Sequence, residues 1–314
     1  MANAVPSRLG QANLAGDPKA LFLKVFAGEV MTAFAENNIV LPFVRQRTIS
    51  SGKAAQFPVI GKATAAYHTP GNEINGSNIA HNEVVITIDD LLLANTFIAN
   101  IDEAMNHYDV RSVYSSELGK ALANQLDRHL LQLAVLAARS AARITGEQGG
   151  SVITDAAAGT DSNALIADIF SAAQKLDEKD VPADGRVCFL LPAQYYALAQ
   201  NTKVLNKDWG GAGVYADGKV LRVAGVEIVK TNHLPNTNIA SGSTAAGTGD
   251  KYIGNFTTTV GLVIQKAALG TVKLMDLAME SEYQIQRQGT LMVAKYAMGH
   301  GVLAPQAAVE IKTA

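Results

Sequence analysis

The sequence predicts an α+β protein, and three stretches carry that prediction. Residues 100–143 hold no proline and one glycine, Gly119, and read as a single helix far longer than a globular domain usually contains. Residues 162–265 alternate amphipathic helices with short apolar strands, the pattern of an α/β layer. From residue 270 to the end the pattern is one of long strands. At 1.5 Å per residue the first stretch would be a rod of about 60 Å. A chain of 314 residues cannot easily cover it alone, so it is either shared between domains or covered by other copies.

Residues 1–16 are small and polar. Asp17-Pro18 then supplies a helix cap and a first-turn proline. Leu21, Phe22, Val25, Phe26, Val30, Ala33 and Phe34 give the following helix an apolar face. That helix either docks on its own core or forms an arm on a neighbouring subunit. Residues 45–61 read as one strand, with Ile49, Phe57, Val59 and Ile60, and 82–92 as a second, with Val84, Ile86 and Ile88 alternating. The insert at 62–80 is polar, and Tyr67, Ile74 and Ile79 are its few bulky apolar residues. A two-stranded arm has no core of its own and is marginal alone, and its open edges invite pairing. It therefore either folds back on its own domain or rests on another surface.

In the long helix Asn100 and Glu103 have capping-box spacing. Ile101, Met105, Tyr108, Ser112, Ser115, Gly119, Leu122, Leu126, His129, Leu133 and Leu136 form a nearly continuous stripe. Its small residues Ser112, Ser115 and Gly119 mark a seam where another element can approach closely. Thr145-Gly146 closes the pattern, and the Gly/Ala/Ser-rich run 149–163 marks a domain boundary. A helix follows over 162–177 with Leu165, Ile166, Ile169, Phe170 and Leu176 inward. A strand over 186–191 carries Cys188, and Pro192 opens a helix to about Gln200. Residues 220–230 form a strand, or a strand pair bent at Gly225, and 252–265 return as strand. Residues 271–280 and 290–298 are candidate antiparallel neighbours, with a short last strand near 307–312.

The net charge of −2 and pI near 6.3 argue against a protein that coats nucleic acid. The lone cysteine excludes an intrachain disulfide framework. The N-terminal residues lack the apolar core of a signal peptide, and no run approaches a membrane span. The six histidines never take metal-site spacing. His300 between Gly299 and Gly301 is either a bend near a ligand or a strand-end turn. Ser50-Ser51-Gly52-Lys53 matches Ser-x-x-Lys without the other motifs of that chemistry. Asp89-Asp90 would point to opposite faces of a strand. Trp209 reads as an anchor for its own loop. No cofactor or catalytic constellation emerges, and long arms and a long rod point to assembly.

Several segments resemble the major capsid proteins of short-tailed, autographivirus-type bacteriophages: K-A-L-F-L-K-V-F-A-G-E-V-M-T-A-F at 19–34, I-S-S-G-K-A-A-Q-F-P-V-I-G at 49–61, A-M-N-H-Y-D-V-R-S at 104–112, G-T-V-K-L-M-D-L-A at 270–278 and A-K-Y-A-M-G-H-G at 294–301. Residues 147–265 resemble the family only loosely. The resemblance implies the Johnson fold of tailed-phage and herpesvirus shells. It divides the chain into an N-terminal arm (1–45), an extended loop across the adjacent subunit (46–92), a peripheral domain with its spine helix (93–146 and 266–314) and an axial domain (147–265). It implies self-assembly as hexamers and pentamers into an icosahedral head around double-stranded DNA, through a scaffold-dependent procapsid that expands on packaging.

The implied partners are further copies of the chain, a scaffolding protein, the portal, decoration or tail proteins, and DNA held non-specifically on the inner face. Neither a membrane nor a cofactor is implied. The implied place is the virion capsid, assembled in the host cytoplasm. Phe22, Phe26, Lys53, Phe57, Tyr67, Ser112, Ser115, Gly119 and Trp209 are the candidate assembly-interface residues. Some shells of this fold crosslink through Lys–Asn bonds. Lys53 and Lys62 lie in the implied loop, but no partner is identifiable and no crosslink is expected. An encapsulin-like compartment of the same fold and an α/β enzyme with a dispersed site are the alternatives.

Overall fold

The computed structural model describes residues 39–76, 78–101, 110–144, 146–201 and 222–314. The chain falls into two compact units. Among the described residues, one unit comprises positions from 90 to 126 and from 274 to 298, and the other those from 39 to 89, 127 to 273 and 299 to 314.

In the first unit β4 (Leu92–Ala99) runs antiparallel to β13 (Gly289–Val302), from Leu92 opposite Tyr296 to Ala99 opposite Gly289. β13 also neighbours β12 (Leu269–Gln284). The turn between these two strands holds Gln288 at φ 49°, and Asn100 closes it by donating its N–H to the Gln288 carbonyl at 3.0 Å. The sequence reading left 93–99 unassigned between a strand and a helix cap. The Leu, Ala and Asn content of β4 is weak strand chemistry, and pairing with β13 overrides it.

The long helix α1 is described over Val110–Ala138, about 43 Å at 1.5 Å per residue. Residues 102–109, including Glu103, lie outside the described residues. Leu122, Leu126, His129 and Leu133 of the expected stripe are buried. Past Arg128 burial spreads around the helix: Leu130, Leu131, Ala134, Val135 and Ala137 are fully covered, so the apolar stripe widens into most of the surface. Helix α1 stops five residues before the expected Arg143. The Ser140 hydroxyl donates to the Leu136 carbonyl at 2.6 Å, and Gly150 N–H donates to the Ser140 carbonyl at 2.9 Å. The chain thus doubles back across the helix end. A Cβ on Gly150 would lie 2.4 and 2.3 Å from the carbonyl oxygens of Ala137 and Ala138, so only glycine fits there.

In the second unit the expected strand over 45–61 is two strands, β1 (Arg45–Thr48) and β2 (Ala54–Ile60), broken where Gly52 takes φ +112°. β1 lies parallel to the start of β12, with Arg45 opposite Gly270. β2 pairs antiparallel with β3 (His81–Thr87), from Ala54 opposite Thr87 to Ile60 opposite His81.

The core of this unit is a mixed six-stranded sheet in the order β5-β14-β11-β6-β8-β7. Its strands are β5 (Ser151–Thr154), β6 (Arg186–Leu190), β7 (Arg222–Val223), β8 (Val226–Lys230), β11 (Thr259–Gln265) and β14 (Ala308–Lys312). β6 is buried along its whole length, as its unbroken apolar run requires. β7 and β8 are the expected pair, turned through Ala224 and Gly225, both at positive φ. Two minor strands, β9 (Asn238–Ile239) and β10 (Gly254–Asn255), pair with each other.

Helix α2 (Ser162–Glu178) is capped by Asp161, whose carboxylate accepts the Asn163 N–H at 2.9 Å. It buries Leu165, Ile169 and Leu176 as expected, but Phe170 is turned outward and is 56 % exposed. Helix α3 (Pro192–Ala199) starts at Pro192. Just past α1, Arg139 ties the helix end to the sheet. Its guanidinium donates twice to the fully buried Glu310 of β14, at 2.6 and 2.5 Å, and once to the Asn255 carbonyl at 2.7 Å. Glu310 also accepts from the Thr259 hydroxyl at 2.7 Å.

Candidate functional site

In the second unit the far end of the β2–β3 hairpin is exposed at every described residue from 62 to 80. Gly61 N–H donates to the Ala80 carbonyl at 2.8 Å and extends the ladder by one step. Beyond it the segment 62–80 forms no strand among its described residues. Three contacts hold the hairpin's middle on the unit. Lys62 N–H donates to the Glu147 carboxylate at 3.1 Å, Lys62 Nζ donates to Asp180 at 2.5 Å, and the Asn82 amide donates to the Arg143 carbonyl at 2.8 Å. The Asp180 hydrogen bond raises the Lys62 ammonium's pKa, and Lys62 holds the Asp180 carboxyl below its ordinary value. Both groups are exposed, so solvent screens the pair and its contribution to stability is small.

Past these contacts the hairpin carries apolar side chains into open solvent. Tyr67 is fully exposed and Ile74 is 79 % exposed, and Ile60, at the end of β2 just before them, is 73 % exposed. Singly exposed apolar residues are normal, but a series along one uncovered segment marks a surface that meets another.

The base of the hairpin is packed differently. Ala55, Ile86, Val272 and Leu303 form a small core, with Ile49, Phe57, Val84 and Ile88 at its rim. Ile88 N–H donates to the Lys53 carbonyl at 2.9 Å. The Gly299-His300-Gly301 segment lies directly beneath. A Cβ on Gly299 would sit 2.2 Å from the Thr87 carbonyl oxygen, and one on Gly301 2.6 Å from Ile86 Cγ1. The two glycines are therefore neither a bend at a ligand nor a strand-end turn. They lie within β13 and make room for the returning hairpin strand.

His300 between them is 1 % exposed, with Nδ1 3.0 Å from the Thr271 hydroxyl. Burial, then the charges of Lys251 and His129, push its pKa down to about 3, so the imidazole is neutral. Beside it the buried Tyr252 stacks on His129 with ring centroids 4.4 Å apart and donates its hydroxyl to Asp89 at 2.5 Å. Lys251 Nζ donates to the same carboxylate at 3.0 Å. Asp89, two residues past β3, is thus clasped where the hairpin leaves the unit. The sequence reading missed this clasp, because its members are far apart in the chain. The Gly-His-Gly triplet was its one local signal.

Of the candidate interface residues, three lie on the hairpin: Lys53, exposed at its start, Phe57, half-buried under the Arg47 guanidinium at 5.9 Å, and Tyr67. Gly119 is half-buried in α1. Ser112 and Ser115 belong to the same helix, but their side chains lie outside the described residues, as do Phe22, Phe26 and Trp209. Among the described residues no group of three or more His, Cys, Asp or Glu side chains is placed to hold a metal, and no helix is long and apolar enough to cross a membrane. Burial pushes the Cys188 thiol up to about 12, which leaves it unreactive.

Known proteins resemble this chain over almost its whole length. Residues 56–312 match the family described as Gp10A-like: Major capsid protein. The major capsid protein of Escherichia phage T7 is 40 % identical over 94 % of this chain and 92 % of its own length. That of Enterobacteria phage T3 is 37 % identical over 95 % and 93 %. Among solved structures, the capsid of the cyanophage P-SCSP1u superimposes with a TM-score of 0.83 at 46 % identity, covering 100 % of this chain and 99 % of that one. The fold is therefore the Johnson fold, and the chain is a structural component of a tailed-phage capsid rather than an enzyme. Its sequence and its fold together place it in the Gp10A-like major capsid protein family.

Proposed function

We propose that copies of this chain assemble as hexamers and pentamers into an icosahedral head around double-stranded DNA, starting from a scaffold-dependent procapsid that expands on packaging. The observation that carries this reading is the hairpin, anchored at its base and middle and bare beyond residue 62, with Tyr67 and Ile74 in solvent. Residues 46–92 act as the extended loop, which lies across the adjacent subunit. Residues 1–45 act as an arm through Phe22 and Phe26. Residues 93–146 with 266–314 act as the peripheral domain, and 147–265 as the axial domain, whose Trp209 loop faces other copies. Ser112, Ser115 and Gly119 form the close-approach seam of the spine helix. Lys53 and Phe57 fix the loop's root.

Assembly takes place in the host cytoplasm, with the scaffold, portal and tail or decoration proteins as further partners. DNA touches the inner face weakly and without sequence preference, in keeping with a net charge of −2. A shell repeats each such contact many times, so individually modest contacts act together.

A Tyr67→Ser, Ile74→Ser double variant tests the loop's role. Both residues are exposed in the subunit, so unfolding should move by only about 0.5 kcal/mol or less. The yield of closed shells should fall at least about tenfold, the effect of about 1.4 kcal/mol lost per contact. Wild-type yield from this variant would show that the loop rests elsewhere.

A further inference from the structure

The loop's base holds a buried titratable group, His300. His300 sits between two glycines that seat the backbone of Ile86 and Thr87, and its Nδ1 faces the Thr271 hydroxyl. Lys251 and His129 both act electrostatically against its charged form, and the Tyr252 ring is tilted toward it with centroids 6.4 Å apart. Arg143 and Glu83 line the same cavity of about 310 Å³ as His300, Lys251 and the β3 backbone. Asp89 is taken up by Tyr252 and Lys251. Among the described residues no carboxylate is bonded to the His300 ring: its bonded neighbour Thr271 and its tilted ring neighbour Tyr252 are both uncharged side chains.

We propose that His300 is an acid-operated catch at the root of the loop: when it takes a proton it leaves its seat beneath β3, and the loop base is freed to change its angle. This inference rests on the reading of the hairpin as the extended loop. The charged ring cannot remain where it is without desolvating a cation beside Lys251, and the cost falls on the element packed most tightly over it. Gly299 and Gly301 place that element, residues 86–88, in direct contact with the catch. The helix α1 side of the cluster is held separately by the stack of His129 on Tyr252, so opening is local to the loop base rather than global.

The sign follows from the proton balance. With the loop seated His300 stays neutral down to about pH 3. With the loop free it takes a proton near the ordinary histidine value of about 6.5. Between those limits the open form binds one more proton, so opening is favoured as pH falls.

Amide hydrogen exchange of the full-length chain, corrected for the intrinsic effect of pH on exchange, reads this opening directly. The opening equilibrium of the backbone amides in 82–88 is expected to rise about thirtyfold from pH 7.5 to pH 5, the change required by one proton at an ordinary histidine. The amides of β6 and β11 should not follow. In His300→Gln the pH dependence at 82–88 should disappear. Three results would overturn the proposal: flat exchange at 82–88 in the wild type, a parallel rise in β6 and β11, or an unchanged slope in His300→Gln. If His300→Gln does not fold, the contrast between 82–88 and the central sheet in the wild type still decides. Exchange reads the loop root alone, so its outcome is separate from whether the loop tip binds a neighbour, which shell yield reports.

Discussion

Arg139→Ala is expected to lower the free energy of unfolding by about 3–5 kcal/mol, the cost of leaving a buried charge without its partner. Glu310 is fully buried in β14, and its carboxylate is held by the Arg139 guanidinium and the Thr259 hydroxyl. Among the described residues no other cation forms an ion pair with it. Arg139 also covers the Phe256 ring at 5.4 Å and satisfies the Asn255 carbonyl, so truncation loses packing as well as charge. For a unit of this size the loss corresponds to roughly 10 °C in the thermal midpoint. Replacing both partners, Arg139→Met with Glu310→Met, should recover most of that loss, because an apolar pair removes the stranded charge. Thermal unfolding of the two single variants and the double variant checks this. A double variant as unstable as the sum of the singles would mean that the ion pair is not what joins the helix end to the sheet.

Removing residues 62–80 and closing β2 to β3 with a tight turn is expected to leave a folded, soluble subunit that fails to close shells. The described residues from 63 to 80 are exposed throughout, so the subunit loses no core with them. The deletion also removes the Lys62–Asp180 pair, but that pair is solvent-screened. The small core of Ala55, Ile86, Val272 and Leu303 at the loop base stays intact. Circular dichroism and thermal unfolding should therefore resemble the wild type, while particle yield on co-expression with scaffold falls to background. Normal particles from this deletion would contradict the role assigned to the loop.

What could be read from the chain alone follows from how local each signal is. The apolar alternation of Val84 and Ile86, the apolar run at 186–190 and the helix from residue 162 are local, and the structure keeps them. The end of α1 was not legible. Nothing in Arg139 to Arg143 breaks a helix. The stop comes from Gly150 passing over the helix carbonyls, a contact between distant residues. β4 escaped for a similar reason: residues 93–99 carry no strong local signal, and it is pairing with β13 that makes them a strand.

The insert was visible in the sequence as a polar stretch with few bulky apolar residues, and one of these, Tyr67, is fully exposed. The clasp at its root was not, because Asp89, His129, Tyr252 and His300 meet only in the folded chain. Asp89 looked like half of an uninformative acidic pair, yet its neighbours make it the point where the hairpin is tied down. The family resemblance added what periodicity could not: the identity of an assembly whose interfaces are absent from any single subunit.

Electron microscopy of the purified full-length chain, expressed with and without its scaffold, tests the central claim most directly. The account predicts closed, icosahedral shells of uniform size when the scaffold is present. A uniform soluble species of two to four subunits, never progressing to shells under either condition, would contradict it.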